Sequence, residues 1–267
     1  MIKLKELSGN DNIVLTESGD AAIFAALYCA RKIMGLGKVL IPDQAGWISY
    51  PKFPKMLEMD VEYVKTDDGK IDLEDLKIKA EEAKILLYPS YSGYFVKNDV
   101  KEIYNICKGK CIVILDICAS IGVENFGDFC DICVGSFGRW KPVNLQYGGF
   151  LSTTRKVLFE KPKEIFNTVK FDENKYKPLL DKLDNVVNRQ EFLRSACRKV
   201  KKDMAGYDII HPESESLVVV IGFKDSEEKE NIINYCRKNN YEYTLCPRYI
   251  RIGRDAVSIE VKRLDSE

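Results

Sequence analysis

The chain has 267 residues, 45% of them hydrophobic, which is enough apolar material for one substantial core or two unequal ones. Its 41 basic side chains balance 41 acidic ones, so nothing in the charge draws it to nucleic acid or to an anionic membrane. The apolar runs are strand-length, and the opening MIKLKELSGNDN lacks the apolar stretch of a signal peptide, so a cytoplasmic protein without a membrane span is expected.

From Ala21 to Met34 apolar residues recur at helical spacing, and Gly35 and Gly37 close the segment. Lys38 to Ile41 reads as a short buried strand ended by Pro42. Tyr50 to Met59 reads as a helix begun around two prolines, followed by a strand over Val61 to Val64. Asp67-Asp68-Gly69 signals a turn. Leu73 to Ala83 and Asp99 to Cys107 read as helices, each followed by an apolar strand, Lys84 to Tyr88 and Cys111 to Leu115. Ile132 to Gly135 and Gly149 to Ser152 complete the series. Short apolar strands alternating with helices predict an α/β fold, with a mostly parallel sheet sandwiched by helices. In such sheets ligands bind beyond the carboxyl ends of the strands, which directs attention to the residues just after each strand.

Around Arg155 the pattern changes. Pro178 to Lys202 reads as one long charged helix, with the proline where a helix can begin. A strand over Leu217 to Phe223, a helix over Ser226 to Asn239, and strands near Tyr241 to Cys246, Tyr249 to Ile252 and Ala256 to Val261 follow. The division expected is a large α/β domain over residues 1–158 and a small C-terminal α+β domain over 159–267, joined by the long helix.

Nine cysteines, an odd number, are scattered through strand-like and helix-like segments and do not form a disulfide framework. Cys130 and Cys133 make a C-x-x-C with Cys118 upstream, but no second pair and no nearby histidine complete a metal set, so no metal is expected. His211 is the only histidine. Triads, Cys–His dyads and His-rich metal sites are thereby set aside, and a general base must be Lys, Tyr, Cys or a carboxylate.

Asp116 follows the strand Cys111 to Leu115 directly, where an unpaired buried carboxylate would be costly. Its bland alternative is a helix cap or surface residue. Downstream come Ser136-Phe137-Gly138-Arg139-Trp140-Lys141, six residues, and then Gly148-Gly149 before a strand. This order resembles the DegT-type sugar aminotransferases, a pyridoxal-phosphate-dependent family of fold type I, of which the chain looks like a shortened member. That family has a strand ending in Asp, then Ser-Phe-x-x-x-Lys, six residues and Gly-Gly. Upstream, Ser18-Gly19-Asp20-Ala21-Ala22 resembles its phosphate-binding loop, and Pro42 to Ser49 resembles the segment whose aromatic residue stacks on the cofactor. The resemblance spans about residues 13 to 153.

The resemblance implies pyridoxal 5'-phosphate as cofactor, with Lys141 carrying it as a Schiff base and later moving the substrate proton. Asp116 would keep the pyridine nitrogen protonated, Trp47 would lie flat on the ring, and Ser18, Gly19, Asp20 and Ser136 would surround the phosphate. It implies amino transfer between a small amine and a keto partner, and a homodimer. Arg139 is a candidate cation for the phosphate or the substrate, and Arg248, Arg251 and Arg254 are candidates for a substrate carboxylate.

The chain also departs from the family. Asp20 stands where Thr or Ser is usual, Ala119 stands three residues after Asp116 where Gln is usual, and both ends are short. Nucleotide-sugar specificity therefore does not carry over. Another fold type I reaction, such as a lyase or desulfurase, and a non-catalytic relative serving as a binding or scaffold protein stay open as alternatives.

Overall fold

The computed structural model of the protein describes residues 2–265. Its centre is a sheet of β1 (Asn12–Thr16), β2 (Lys38–Pro42), β3 (Asp60–Val64), β4 (Ala83–Pro89), β5 (Ile112–Asp116), β6 (Ile132–Ser136) and β7 (Gly149–Thr153). The strands lie in the order β1-β7-β6-β5-β4-β2-β3. Strands β3, β2, β4, β5 and β6 are parallel, and β7 pairs antiparallel with both β6 and β1. The predicted α/β fold with a mostly parallel sheet is present, with one reversed strand. The reversal follows from the connection: residues 137–148 join β6 to β7 without a helix, whereas a parallel partner needs a crossover.

Both faces of the sheet are covered, which is why its central strands read as unbroken apolar runs. On one face Ile85, Leu87, Ile112 and Ile114 pack under Ala22, Ala26 and Ala30 of α2 (Gly19–Met34). Their neighbours Leu86, Tyr88, Val113 and Leu115 point the other way, alternating as pleated side chains must. They meet Leu4 of α1 (Ile2–Ser8), Leu76 of α3 (Leu73–Lys79) and Ile103 of α4 (Val100–Cys107). Ser18 caps α2, its side chain accepting the Ala21 N–H at 3.1 Å, and Gly35 ends the helix with a left-handed φ of 77°.

The C-terminal part holds a second, antiparallel sheet of β8 (Asp208–Ile209), β9 (Val219–Gly222), β10 (Tyr243–Cys246) and β11 (Ala256–Ile259), ordered β8-β9-β11-β10. Val219, Ile221 and Val257 pack beneath Ile232 and Cys236, and Val218, Val220 and Ala256 pack on Tyr91, Tyr94 and Phe95 from the loop after β4. That second contact brings the small sheet to the carboxyl edge of the large one.

Several local expectations are corrected. The stretch Pro178 to Lys202 is two helices, α5 (Tyr176–Asp184) and α6 (Val186–Asp203), separated at Asn185. The break falls where the chain changes neighbours: Leu179 and Leu183 belong to the main-sheet core, whereas Leu193, Cys197 and Val200 face the second sheet. Tyr50 to Met59 holds only one helical turn, Phe53–Met56, because Pro51 and Pro54 permit a start but no longer ladder. Tyr249 to Ile252 is a turn, closed by Arg251 N–H donating to Arg248 O at 2.9 Å. The final helix, α7 (Ser226–Lys238), lies as expected. Among the described residues no helix is long and apolar enough to cross a membrane.

Strand β7 begins at a tight point of this packing. A Cβ on Gly149 would lie 2.7 Å from Gly135 O, 2.8 Å from Gly19 N and 2.8 Å from Ser18 O, all of them backbone atoms. Gly149→Ala is therefore expected to destabilise the protein by about 2–3 kcal/mol, read from the urea midpoint. An unchanged midpoint would contradict the close approach of β7 to the start of α2.

Candidate active site

Strands β1, β2, β4, β5 and β6 all point the same way, and the segments that follow them converge. Ser18 to Asp20, Ala45 to Tyr50, Pro89 to Tyr94, Asp116 to Ala119 and Ser136 to Lys141 contribute to one cavity of about 260 Å³. This is the carboxyl-end crevice of an open α/β sheet. The sequence candidates Ser18, Gly19, Asp20, Trp47, Asp116, Ser136, Arg139 and Lys141 all line it. Arg251 does not.

Lys141 stands in the helix-free connection 137–148, half-buried. Trp140, Asn144 and Gln146 there take left-handed φ values of 63°, 47° and 63°. Such backbone costs about 1–3 kcal/mol per residue and persists only where its surroundings fix it. Two hydrogen bonds do so here: Trp140 N–H to Asn144 Oδ1 at 2.9 Å, and Phe137 N–H to Gly148 O at 2.9 Å. The Lys141 Nζ donates to Tyr94 Oη and lies 4.6 Å from the Trp47 ring centroid and 4.8 Å from that of Tyr94. Burial disfavours its charge, but Tyr94, Cys118 and Asp116 outweigh burial and hold the ammonium above the ordinary lysine range. Burial in turn pushes the Tyr94 phenol up to about 12, against the pull of Lys141.

Asp116, the last residue of β5, is buried. Its Oδ2 accepts from Tyr50 Oη at 2.9 Å and its Oδ1 from the Cys118 N–H at 2.8 Å. Burial and the adjacent carboxylate push Tyr50 well above its usual range, so it stays a donor. Each oxygen keeps a lone pair for a further partner. At the other end of the cavity the first turn of α2 packs directly on Ser136: a Cβ on Gly19 would fall 2.5 Å from Ser136 Cβ. Asp20 Oδ1 accepts from Trp47 Nε1 at 2.8 Å and from Ser49 Oγ at 3.0 Å. Arg139 is exposed and lies 4.5 Å over the Trp140 ring.

Behind Tyr94 lies a charged cluster with no single-residue signal in the sequence. Arg251 is fully buried; its Nη2 donates to both carboxylate oxygens of Glu260, at 2.9 and 3.0 Å, while its Nε donates to Ser258 Oγ. Its guanidinium is thus committed inside the second sheet and does not face the cavity, contrary to its role as a substrate candidate. Arg254 is likewise paired, with Asp68 and Asp208. Lys262 is buried, 3.5 Å from Glu260 and 5.1 Å from the Tyr94 ring centroid. Burial would raise the Glu260 carboxyl, but Arg251, Lys262 and Arg263 hold it down at about 2. Burial pushes Lys262 down to about 7; Glu260 resists this, and Arg251, Lys141 and Arg263 add to it.

Sequence reading missed Tyr50, Tyr94, Glu260 and Lys262. Two signals were available: Tyr94 follows Gly93 just beyond the apolar strand Lys84 to Tyr88, and Ser258, Glu260 and Lys262 alternate with apolar residues, which puts them on one face. Ala119 lines the cavity, and Gln190 reaches from α6 to donate to the Ala119 and Ile121 carbonyls, both at 2.9 Å. All nine cysteines are buried free thiols, and among the described residues no group of side chains is arranged to hold a metal ion. Cys118 lines the cavity, its thiol pushed well up by burial and by Asp116. His211 Nε2 donates to Asp67 O, 3.0 Å away, outside the cavity.

Comparison with known proteins places the fold. Residues 182–267 match the family described as the MJ1341 family C-terminal domain. No curated protein is matched by sequence. A DegT DnrJ EryC1 StrS aminotransferase from Brucella abortus superposes with a TM-score of 0.76 at 14% identity, over 97% of this chain and 83% of that one. Serine palmitoyltransferase from Sphingomonas wittichii gives 0.73 at 15%, over 97% and 69%. The ureidoglycine–glyoxylate aminotransferase of Bacillus subtilis gives 0.71 at 17%, over 97% and 77%. The fold is that of the fold type I pyridoxal-phosphate enzymes.

The buried lysine has a measurable consequence. The unfolded chain keeps the Lys262 proton up to its ordinary 10.5, whereas the folded protein releases it near 7. Between those values the unfolded state binds more protons, so this group's contribution to stability rises with pH, on the order of 4 kcal/mol across the interval. Lys262→Met is expected to flatten that part of the slope. Urea midpoints at about pH 7 and about pH 10 test it; parallel slopes in the two proteins would contradict the burial of Lys262.

Proposed function

We propose that this protein is a pyridoxal-phosphate-dependent enzyme, most simply an aminotransferase for a small amine and a keto partner, with Lys141 as the cofactor lysine. One observation carries the reading. The Lys141 amine faces the Trp47 ring at 4.6 Å in a cavity that Asp116 and the first turn of α2 also line. A primary amine, a buried carboxylate, a flat indole face and a helix N-terminus correspond to the aldehyde, ring nitrogen, ring and phosphate of that cofactor. The donor set therefore fits it.

When bound, pyridoxal phosphate supplies an aldehyde for attachment and a ring that takes up electrons from the substrate. The chain's own groups do the rest. Lys141 must shed a proton before it can act as a nucleophile, and Tyr94 Oη is the group in contact with that Nζ. The same Nζ, when unbonded, would be the base that takes a proton from the substrate carbon and returns it. Asp116, with lone pairs left after Tyr50 and Cys118, would accept the cofactor's ring N–H and stabilise its charge. Ser18 and Ser136 each accept one backbone N–H, which leaves both hydroxyl hydrogens for an anionic group.

The cavity, about 260 Å³, lies at the small end of ligand pockets, which run from roughly 300 Å³ upward. That supports a small substrate. The raised Cys118 thiol weighs against a desulfurase using that sulfur, because such a nucleophile needs a lowered pKa. A homodimer belongs to the same proposal and rests on the fold likeness alone.

Titrating purified protein with pyridoxal phosphate is expected to produce an absorption band at the violet edge of the visible spectrum. Borohydride should discharge it and fix the added mass on the peptide containing Lys141. Lys141→Ala should show neither band nor mass. No band at saturating cofactor in the wild type would refute the reading and favour a non-catalytic relative; a surviving band in Lys141→Ala would refute the assignment of the lysine.

A further inference from the structure

We propose that Asp20 is a positioning residue that holds Trp47 in place as the aromatic wall of the cavity, by clamping the loop after β2 to the first turn of α2. The inference rests on the cofactor reading for its purpose, but its geometry stands apart from it. Asp20 lies in the first helical turn, directly after Ser18 and Gly19. A carboxylate there is at odds with a dianionic phosphate, since like charges at close range repel. Its hydrogen bonds show what it does instead. Oδ1 accepts from both Trp47 Nε1, at 2.8 Å, and Ser49 Oγ, at 3.0 Å.

Those two donors lie two residues apart in a segment that needs anchoring. Ala45 takes a left-handed φ of 58°, which a side chain adopts only when its surroundings impose it. The start of the segment is tied down elsewhere: Gly93 N–H donates to Ala45 O at 2.8 Å, and Gly253 N–H to Gln44 Oε1 at 2.8 Å. Asp20 fastens the other end. Immediately after it Tyr50 reaches Asp116 at 2.9 Å, so one loop connects the two carboxylates of the cavity. The indole N–H is thereby fixed at the edge of the ring, and its face stays turned to Lys141 Nζ. A Ser or Thr at position 20 has a shorter side chain, so Asp20 adds this clamp where it removes a hydroxyl from the phosphate end.

Asp20→Asn keeps an acceptor oxygen and removes the charge, whereas Asp20→Ala removes both. Hydrogen–deuterium exchange of the segment 43–52 in cofactor-free protein reads the clamp, and titration with pyridoxal phosphate reads its effect. In Asp20→Ala the segment is expected to exchange about tenfold faster and cofactor affinity to fall about tenfold, with exchange in β9 and β11 unchanged; Asp20→Asn restores both. Wild-type exchange of the segment in Asp20→Ala, or an Asn variant as loose as the Ala variant, overturns the proposal. If exchange behaves as expected but wild-type protein takes up no cofactor, the clamp stands and the cofactor reading falls.

Discussion

The arrangement depends on one constraint: both faces of the main sheet are buried. Helix α2 covers one face and α1, α3 and α4 the other, so a ligand can reach the sheet only at its ends. Because β1, β2, β4, β5 and β6 share a direction, five loops are delivered to the same edge. The reversed β7 completes the arrangement. It returns the chain from that edge through a connection without a helix, and this connection carries Lys141. Its glycine start lets backbone meet backbone beside Ser18 and Gly19, which is how the lysine loop and the helix N-terminus come to border one cavity.

The electrostatics divide into two layers. In front, Lys141 faces Tyr94, Cys118 and Asp116, which favour its charge. Behind, Glu260 faces Arg251, Lys262 and Arg263, the last of which also pairs with Glu242. Burial and the neighbouring guanidinium groups disfavour the Lys262 charge, and Lys262 is the only one of the three cations able to lose its proton near neutrality. The guanidinium groups cannot follow, so the pairing of Arg251 with Glu260 is the fixed part of the cluster and Lys262 the variable one.

Much of the large unit was legible because its strands are apolar on both faces. Lys84 to Tyr88 and Cys111 to Leu115 need no periodicity to be read, and the turn residues between them mark their limits. Strand β1 escaped notice because it is a short edge strand, with Asn12, Ile13 and Val14 only half-buried. The break at Asn185 left no trace because Asn185 itself has helical-region backbone, and the partners that change on either side are distant in sequence. Of the site, the ordered motif residues around Ser18, Trp47, Asp116 and Lys141 were legible through the family resemblance, and they border one cavity. The tyrosines could not: Tyr50 and Tyr94 acquire meaning only through partners 66 and 47 positions away. Arg251 misled for the same reason, since a cluster of arginines in sequence says nothing about the buried Glu260 that takes one of them.

Tyr94 belongs to both halves of the molecule. Its hydroxyl meets the Lys141 amine at the edge of the large sheet, while its carbonyl accepts the Leu217 N–H at 2.8 Å and its ring packs with Val218 and Ala256 in the small one. The two sheets therefore do not meet across a passive seam. One residue thus ties the surroundings of the lysine amine to the seat of the C-terminal sheet, through a hydroxyl on one side and a carbonyl on the other.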